Sequence, residues 1–143
     1  MKTDNSIKLE FPSKSSNEGF SRVAIAALAS QLDPTLEQIN EIKTAVSEAV
    51  TNAIVHGYKD SIGTIYITAK IRGNKLIVTV RDKGCGIADI EQARQPLFTT
   101  GNENERSGMG FTIMESFMDK VRVRSVVGGG TKVTLEKQLD IKE

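Results

Sequence analysis

Glu48 and Asn52 stand one helical turn apart in the run from Ala45 to Gly57, and their types and spacing could do chemistry together. At ~100° per residue, Ile39, Ile42, Val46, Ala49, Val50 and Ala53 gather on one side of a helix, while Glu48 and Asn52 project from the other. One side reads as core and the other as a site. A carboxylate one turn before a carboxamide sets a general base beside a neutral oxygen that can hold a hard, partly hydrated cation such as Mg²⁺. That combination suits the handling of nucleoside triphosphates, although a Glu and an Asn at this spacing are also common on solvated helix faces.

Two further stretches extend the same chemistry. In Asp82-Lys83-Gly84-Cys85-Gly86-Ile87 a carboxylate at the end of an apolar strand meets two glycines. Such a carboxylate can accept a hydrogen bond from an exocyclic amine such as that of adenine, and glycines leave out the Cβ atoms that would obstruct a flat base. The same residues would also serve a plain turn, with Cys85 as a small filler. From Arg94 to Ser107 periodicity is lost and the chain turns polar, the length of a functional lid or a disordered loop. Gly108-Met109-Gly110 then opens a short helix to about Phe117. Glycines ahead of a helix start expose N–H groups to a phosphate, while Thr99, Thr100 and Ser107 add hydroxyls and Arg106 a charge.

Periodicity supplies the elements that must position these groups. Ser6 to Phe11 alternates as a half-buried edge strand, a natural pairing place for a second copy of the chain. Ser15-Ser16-Asn17-Glu18 reads as a capping box, with Ser15 as N-cap, launching a helix through about Leu32 whose buried stripe is Phe20, Val23, Ala24, Ala27 and Leu28. Arg22 lies off that stripe and is either solvated or a partner contact; pattern alone does not decide. Asp33-Pro34 predicts the start of the helix bearing Glu48 and Asn52, with Gly57 as its left-handed C-cap and His56 favouring the helix dipole in the last turn. Ile65, Ile67, Ala69 and Ile71, the turn Gly73-Asn74, and Leu76, Val78 and Val80 predict a hairpin. Val121 and Val123 alternate with Arg122 and Arg124, Gly128-Gly129-Gly130 turns the chain, and Thr131, Val133 and Leu135 complete a second hairpin before a solvated tail from Asp140 to Glu143.

With 143 residues, a single domain over 1–143 with a lid at about 94–108 is expected. A net charge of +1 lacks the basic footprint of a nucleic-acid binder. One cysteine forbids an internal disulfide, and one histidine with one cysteine falls short of a structural zinc site. No apolar run has the length of a leader or a membrane span, so a cytoplasmic location without membrane contact is expected.

Taken in order, Glu48-x-x-x-Asn52, Asp82-x-Gly84-x-Gly86, the polar lid, Gly108-x-Gly110 and Gly130-Thr131 resemble the ATP-binding domains shared by gyrase, heat-shock chaperones, histidine kinases and MutL. The resemblance implies an α/β (α+β) two-layer sandwich of the Bergerat type. Its sheet is mixed, mainly antiparallel and covered on one face by helices, with ATP between helices and lid. The absence of a Gly-x-x-x-x-Gly-Lys-Ser loop agrees with that. Over nearly the whole chain, and most closely over Asp33 to Tyr58 and Gln95 to Asp119, it is similar to the anti-sigma F factors of spore-forming bacteria, small serine protein kinases.

That resemblance implies Glu48 as catalytic base, Asn52 as Mg²⁺ ligand, Asp82 as adenine anchor and Thr131 as its support. It also implies Thr99, Thr100, Gly108 and Gly110 in the lid and phosphate cradle, and Arg22 on the surface that meets sigma F and the anti-anti-sigma protein. Implied in turn are ATP and Mg²⁺ as cofactors, a homodimer that sequesters sigma F, phosphorylation of an anti-anti-sigma serine and control of sporulation transcription in the forespore. Gly101-Asn102 departs from the lysine-proline pair that the family would have after its threonines. The alternatives are an anti-sigma kinase for a stress-response sigma factor and a nucleotide-gated sequestering module without kinase activity.

Overall fold

The computed structural model describes residues 4–59, 61–86 and 110–139. In chain order the elements are β1 (Asn5–Pro12), α1 (Ser16–Ala29), α2 (Leu36–Asn52), β2 (Thr64–Arg72), β3 (Lys75–Asp82), α3 (Gly110–Phe117), β4 (Lys120–Val126) and β5 (Gly130–Gln138). The strands form one sheet in the order β1-β2-β3-β5-β4, and each pairing among the described residues is antiparallel. Strand side chains alternate between the two faces. Ile65, Ile67, Ala69 and Ile71 of β2, Leu76, Val78 and Val80 of β3, and Val133 and Leu135 of β5 are buried beneath the helices, while the opposite face is charged and hydroxyl-bearing. The result is the two-layer sandwich expected, with β1 at a sheet edge as its alternation predicts.

Helix α2 packs between α1 and α3 and is the spine of the helical layer. Ile42, Ala45, Val46, Ala49, Val50 and Ala53 form its buried stripe, close to the one its periodicity predicts. Its start is not where Asp33-Pro34 suggests. Asp33 has φ 52°, left-handed, and ends the 3-10 turn Ser30–Leu32 that follows α1. A residue before proline is disfavoured in the right-handed helical region, and aspartate tolerates the left-handed one. The cap therefore falls on Thr35, in a reciprocal capping box: Gln38 N–H donates to the Thr35 hydroxyl at 3.1 Å, and Thr35 N–H donates to the Gln38 carboxamide oxygen at 2.9 Å.

Helix α1 differs from expectation in two ways. Ser15 adopts helical dihedrals and makes no side-chain cap, and Glu18 reaches instead toward Arg22 at 3.6 Å. The buried stripe is Ser21, Ile25, Leu28 and Ala29, continued by Leu32, which leaves Phe20 65% and Val23 59% exposed. The sequence carries two overlapping apolar stripes, and the positions Ile25, Leu28, Ala29 and Leu32 form an unbroken i, i+3, i+4, i+7 series against α2. Ser21 joins that stripe because its hydroxyl donates to the Glu18 carbonyl at 2.8 Å and so needs no water. At the other end of the layer, Lys137 of β5 donates to the Phe117 carbonyl at 2.6 Å and pairs with Glu41 of α2 at 3.1 Å. One cation thus holds the C-terminus of α3 to both α2 and the sheet.

Candidate active site

Helix α2 does not stop at Asn52. Its backbone widens into a π-helical turn, Ala53–Gly57, closed by the Tyr58 N–H donating to the Ala53 carbonyl at 3.3 Å. Gly57 is not the left-handed cap expected from sequence, since its φ is not positive. The reason for glycine is proximity: a Cβ here would lie 2.7 Å from Cγ of Asp82. A side chain on Gly84 would in turn run into the Gly57 carbonyl. The two glycines let the end of α2 and the loop after β3 touch through backbone, and Cys85 N–H seals the contact on Gly57 O at 2.9 Å. Cys85 also donates its thiol to the His56 carbonyl at 3.0 Å, so it is more than filler.

Asp82 is 5% exposed at the end of β3 and stands opposite Thr131 of β5 in register. Its carboxylate accepts the Gly84 N–H at 2.9 Å and the Thr131 N–H. Burial pushes its pKa above the usual aspartate value, and these two backbone donors pull part of the way back. Thr131 is buried, with its hydroxyl 2.9 Å from that of Ser125. Gly86 has φ 78° and packs against the carbonyl of Val126, while Gly128 N–H donates to Cys85 O at 2.8 Å. Tyr58 completes the knot: its hydroxyl accepts the Lys83 N–H at 2.7 Å and donates to the Thr64 carbonyl at 2.7 Å.

One end of α2 is thereby fixed to Asp82. Nine residues earlier, Glu48 is 7% exposed and faces the first residue of α3, with its Oε1 3.3 Å from where a Cβ on Gly110 would be. A helix start concentrates unpaired N–H groups and partial positive charge, so a buried carboxylate is favoured there and a phosphate would be too. Asn52, half-buried, lies between Glu48 and Gly57 along the same helix. Among the described residues no group of three or more His, Cys, Asp or Glu side chains could hold a metal. A cation beside the Asn52 oxygen would draw its other ligands from phosphate and water, a coordination that suits Mg²⁺.

The structure thus joins Asp82, Gly84, Gly86 and Thr131 in one cluster and sets Glu48 against Gly110 in another. Thr99, Thr100, Arg106, Ser107 and Gly108 lie outside the described residues. Arg22 is in neither cluster; it sits on α1 beside Glu18. Sequence reasoning missed the roles of Gly57 and Tyr58. Tyr58 acts on Lys83, 25 positions away, and no local pattern reports such a contact.

These features define a class, the histidine kinase-like ATPase domain, whose family model matches residues 11–137. A crystal structure of the RsbU and RsbW domains of a Mycobacterium tuberculosis protein has the same fold. It superposes with a TM-score of 0.69 at 22% identity, over 94% of this chain and 32% of that one. Much greater likeness is found to the anti-sigma F factors of Thermoanaerobacter sp. (strain X514), 57% identical over 97% of each chain, and of Clostridium kluyveri, 55% identical over 94% of each. The chain belongs to the anti-sigma F factor family, and with its ATPase-type domain it is an ATP-dependent kinase of sigma-factor control. No helix among the described residues is long and apolar enough to cross a membrane.

Proposed function

We propose that this chain binds ATP along α2, with adenine at Asp82 and the γ-phosphate at the Glu48 end, and transfers that phosphate to a serine of an anti-anti-sigma protein. The observation that carries the reading is the distance built into α2. Glu48 and Gly57 are nine residues apart, a span of at most about 13 Å at α-helical rise and shorter through the π turn, comparable to an extended ATP molecule. One end of that span offers a buried carboxylate for the adenine amine, and the other a carboxylate at a helix start.

Asp82 accepts the exocyclic amine, and Thr131 holds the strand opposite it. Glu48 accepts the proton of the incoming serine hydroxyl as that oxygen attacks phosphorus and the bond to the ADP oxygen breaks. The start of α3, with Gly108 and Gly110, and the lid donors Thr99, Thr100, Arg106 and Ser107 receive charge spreading over the transferred group. Asn52 holds Mg²⁺, which when bound neutralises phosphate charge. Arg22 stands on α1 between the exposed Phe20 and Val23, and that unburied apolar surface supports its role as a contact for sigma F and the anti-anti-sigma protein. The edge position of β1 supports pairing into a homodimer. The identity to anti-sigma F factors favours sigma F over a stress-response sigma factor. The setting is the cytoplasm of the forespore.

The test is Glu48→Gln with γ-labelled ATP and the serine-bearing partner. Label transfer should fall by about 10²-fold or more, while ATP still raises the melting temperature as in the parent. Parental transfer rates, or loss of transfer and ATP stabilisation together, would remove Glu48 from the role of base.

A further inference from the structure

The face of the sheet turned away from the helices carries charge that neither folding nor the nucleotide site explains. Arg81 of β3, Lys132 of β5 and Arg124 of β4 are directly opposite one another in register, forming a row of cations across three adjacent strands. All three are exposed, and no carboxylate among the described residues lies within ion-pair distance of them. Like charges directly opposite across strands are destabilising. Charged side chains do protect edge strands from pairing, which would account for Arg124, but Arg81 and Lys132 are on inner strands.

Around the row the charge continues. Lys83 follows Arg81, and both lie against the Tyr66 ring, 5.0 and 4.8 Å from its centre. Of the residues turned to this face in the five strands, only Glu10 and Glu136 are acidic, and Glu136 is already engaged by Arg122 at 2.6 Å and Lys75 at 3.7 Å. At one end of the row, Arg81, Lys83, Arg124 and Lys132 line an open cleft of about 380 Å³ together with Asp82, Thr131 and the turn Gly128 to Gly130, so the basic surface runs up to the adenine end of the proposed nucleotide site.

We infer that this row of cations forms a docking surface for a short acidic segment of a partner protein, on the face of the sheet turned away from the helices. Along β4 the cations Lys120, Arg122 and Arg124 recur at every second residue, about 6.8 Å apart, the repeat at which an extended peptide presents alternate side chains. Guanidinium forks at Arg81 and Arg124 suit carboxylates. A nucleic acid fits less well. The one aromatic ring on the face is already covered by Arg81 and Lys83, leaving no platform for a base. The net charge of +1 lacks the basic excess of a nucleic-acid binder, whereas a short acidic segment needs only the local row.

The experiment uses full-length protein saturated with ATP and a labelled peptide of alternating aspartate and glycine, followed by anisotropy at low salt, with a single-stranded oligonucleotide of equal charge beside it. The triple variant Arg81→Gln, Lys132→Gln, Arg124→Gln is compared with Lys14→Gln, Lys43→Gln, Lys59→Gln, which changes the net charge equally away from the sheet. The row variant should bind the peptide about tenfold more weakly than parent and control, with its ATP-induced melting shift intact. Equal weakening in both triples, tighter binding of the oligonucleotide through the same row, or no saturable peptide binding by the parent would each overturn the inference. If the row variant fails to melt cooperatively, Arg124→Gln alone should give a smaller loss of the same sign, and an unchanged affinity there counts against the surface. Failure here would leave the Glu48 experiment untouched, because that readout does not involve this face.

Discussion

Burial raises the pKa of the Asp82 carboxyl even though Gly84 and Thr131 donate backbone hydrogen bonds to it. A folded pKa above the unfolded one means that the folded protein holds more protons between the two values. The cost of the buried charge is therefore fully present at pH above the folded pKa and fades as pH falls through it. Asp82→Asn removes that charge, so the variant should resist urea better than the parent at neutral pH, with the difference narrowing in acid. It should also bind ATP roughly ten- to a hundredfold more weakly, since a hydrogen bond to a charged acceptor is lost. Unfolding curves at two pH values and calorimetric titration check the two halves separately. Asp82 was legible in the sequence because a carboxylate between a strand and two glycines is a local pattern. Gly57 was misread, because a helix-ending glycine looks the same whether it supplies positive φ or makes room for a carboxylate from another element.

Helix boundaries are set by competition between neighbouring capping residues, and α2 illustrates it. Proline at position 34 drives Asp33 out of the helical region, and the capping box moves to Thr35 and Gln38. Thr35→Ala should cost about 1 kcal/mol in urea unfolding, whereas Ser15→Ala, which removes no cap bond, should stay within about 0.5 kcal/mol of the parent. No cost at Thr35 would return the start of α2 to Asp33, and a cost of about 1 kcal/mol at Ser15 would restore the α1 cap that the Ser15-x-x-Glu18 pattern suggested. The spine of α2 was readable from its 3.6-residue period because one stripe dominates. In α1 two stripes compete, and the choice depends on the shape of α2 beneath it, which no window of α1 contains. The strands were the most legible elements, since Ile65 to Ile71 and Leu76 to Val80 alternate without interruption.

At the scale of the whole molecule, the proposed nucleotide site has two close contacts, Gly110 with Glu48 between two helices and Gly57 with Asp82 between the helical layer and the sheet. A ligand spanning both should stabilise the fold as a unit. At a hundredfold excess of ATP over its dissociation constant, the gain should be about 2.7 kcal/mol, read from denaturant midpoints, and should fall to about 0.4–1.4 kcal/mol in Asp82→Asn at the same ATP concentration. The order of motifs along the chain was sufficient to recognise the family and its fold, while the closure through Tyr58 and Cys85 was not legible, because those bonds join segments distant in sequence.

The sheet has one more consequence, for the chain as it is made. Among the described strands β5 is made last, yet it lies inside the sheet, between β3 and β4. Until Gln138 has emerged, β3 keeps an unpaired edge and β4 lacks its sheet neighbour, so the core cannot close before that point. Premature stops anywhere in that strand would release a chain with an open, apolar sheet edge, the form that quality-control proteases and aggregation both select.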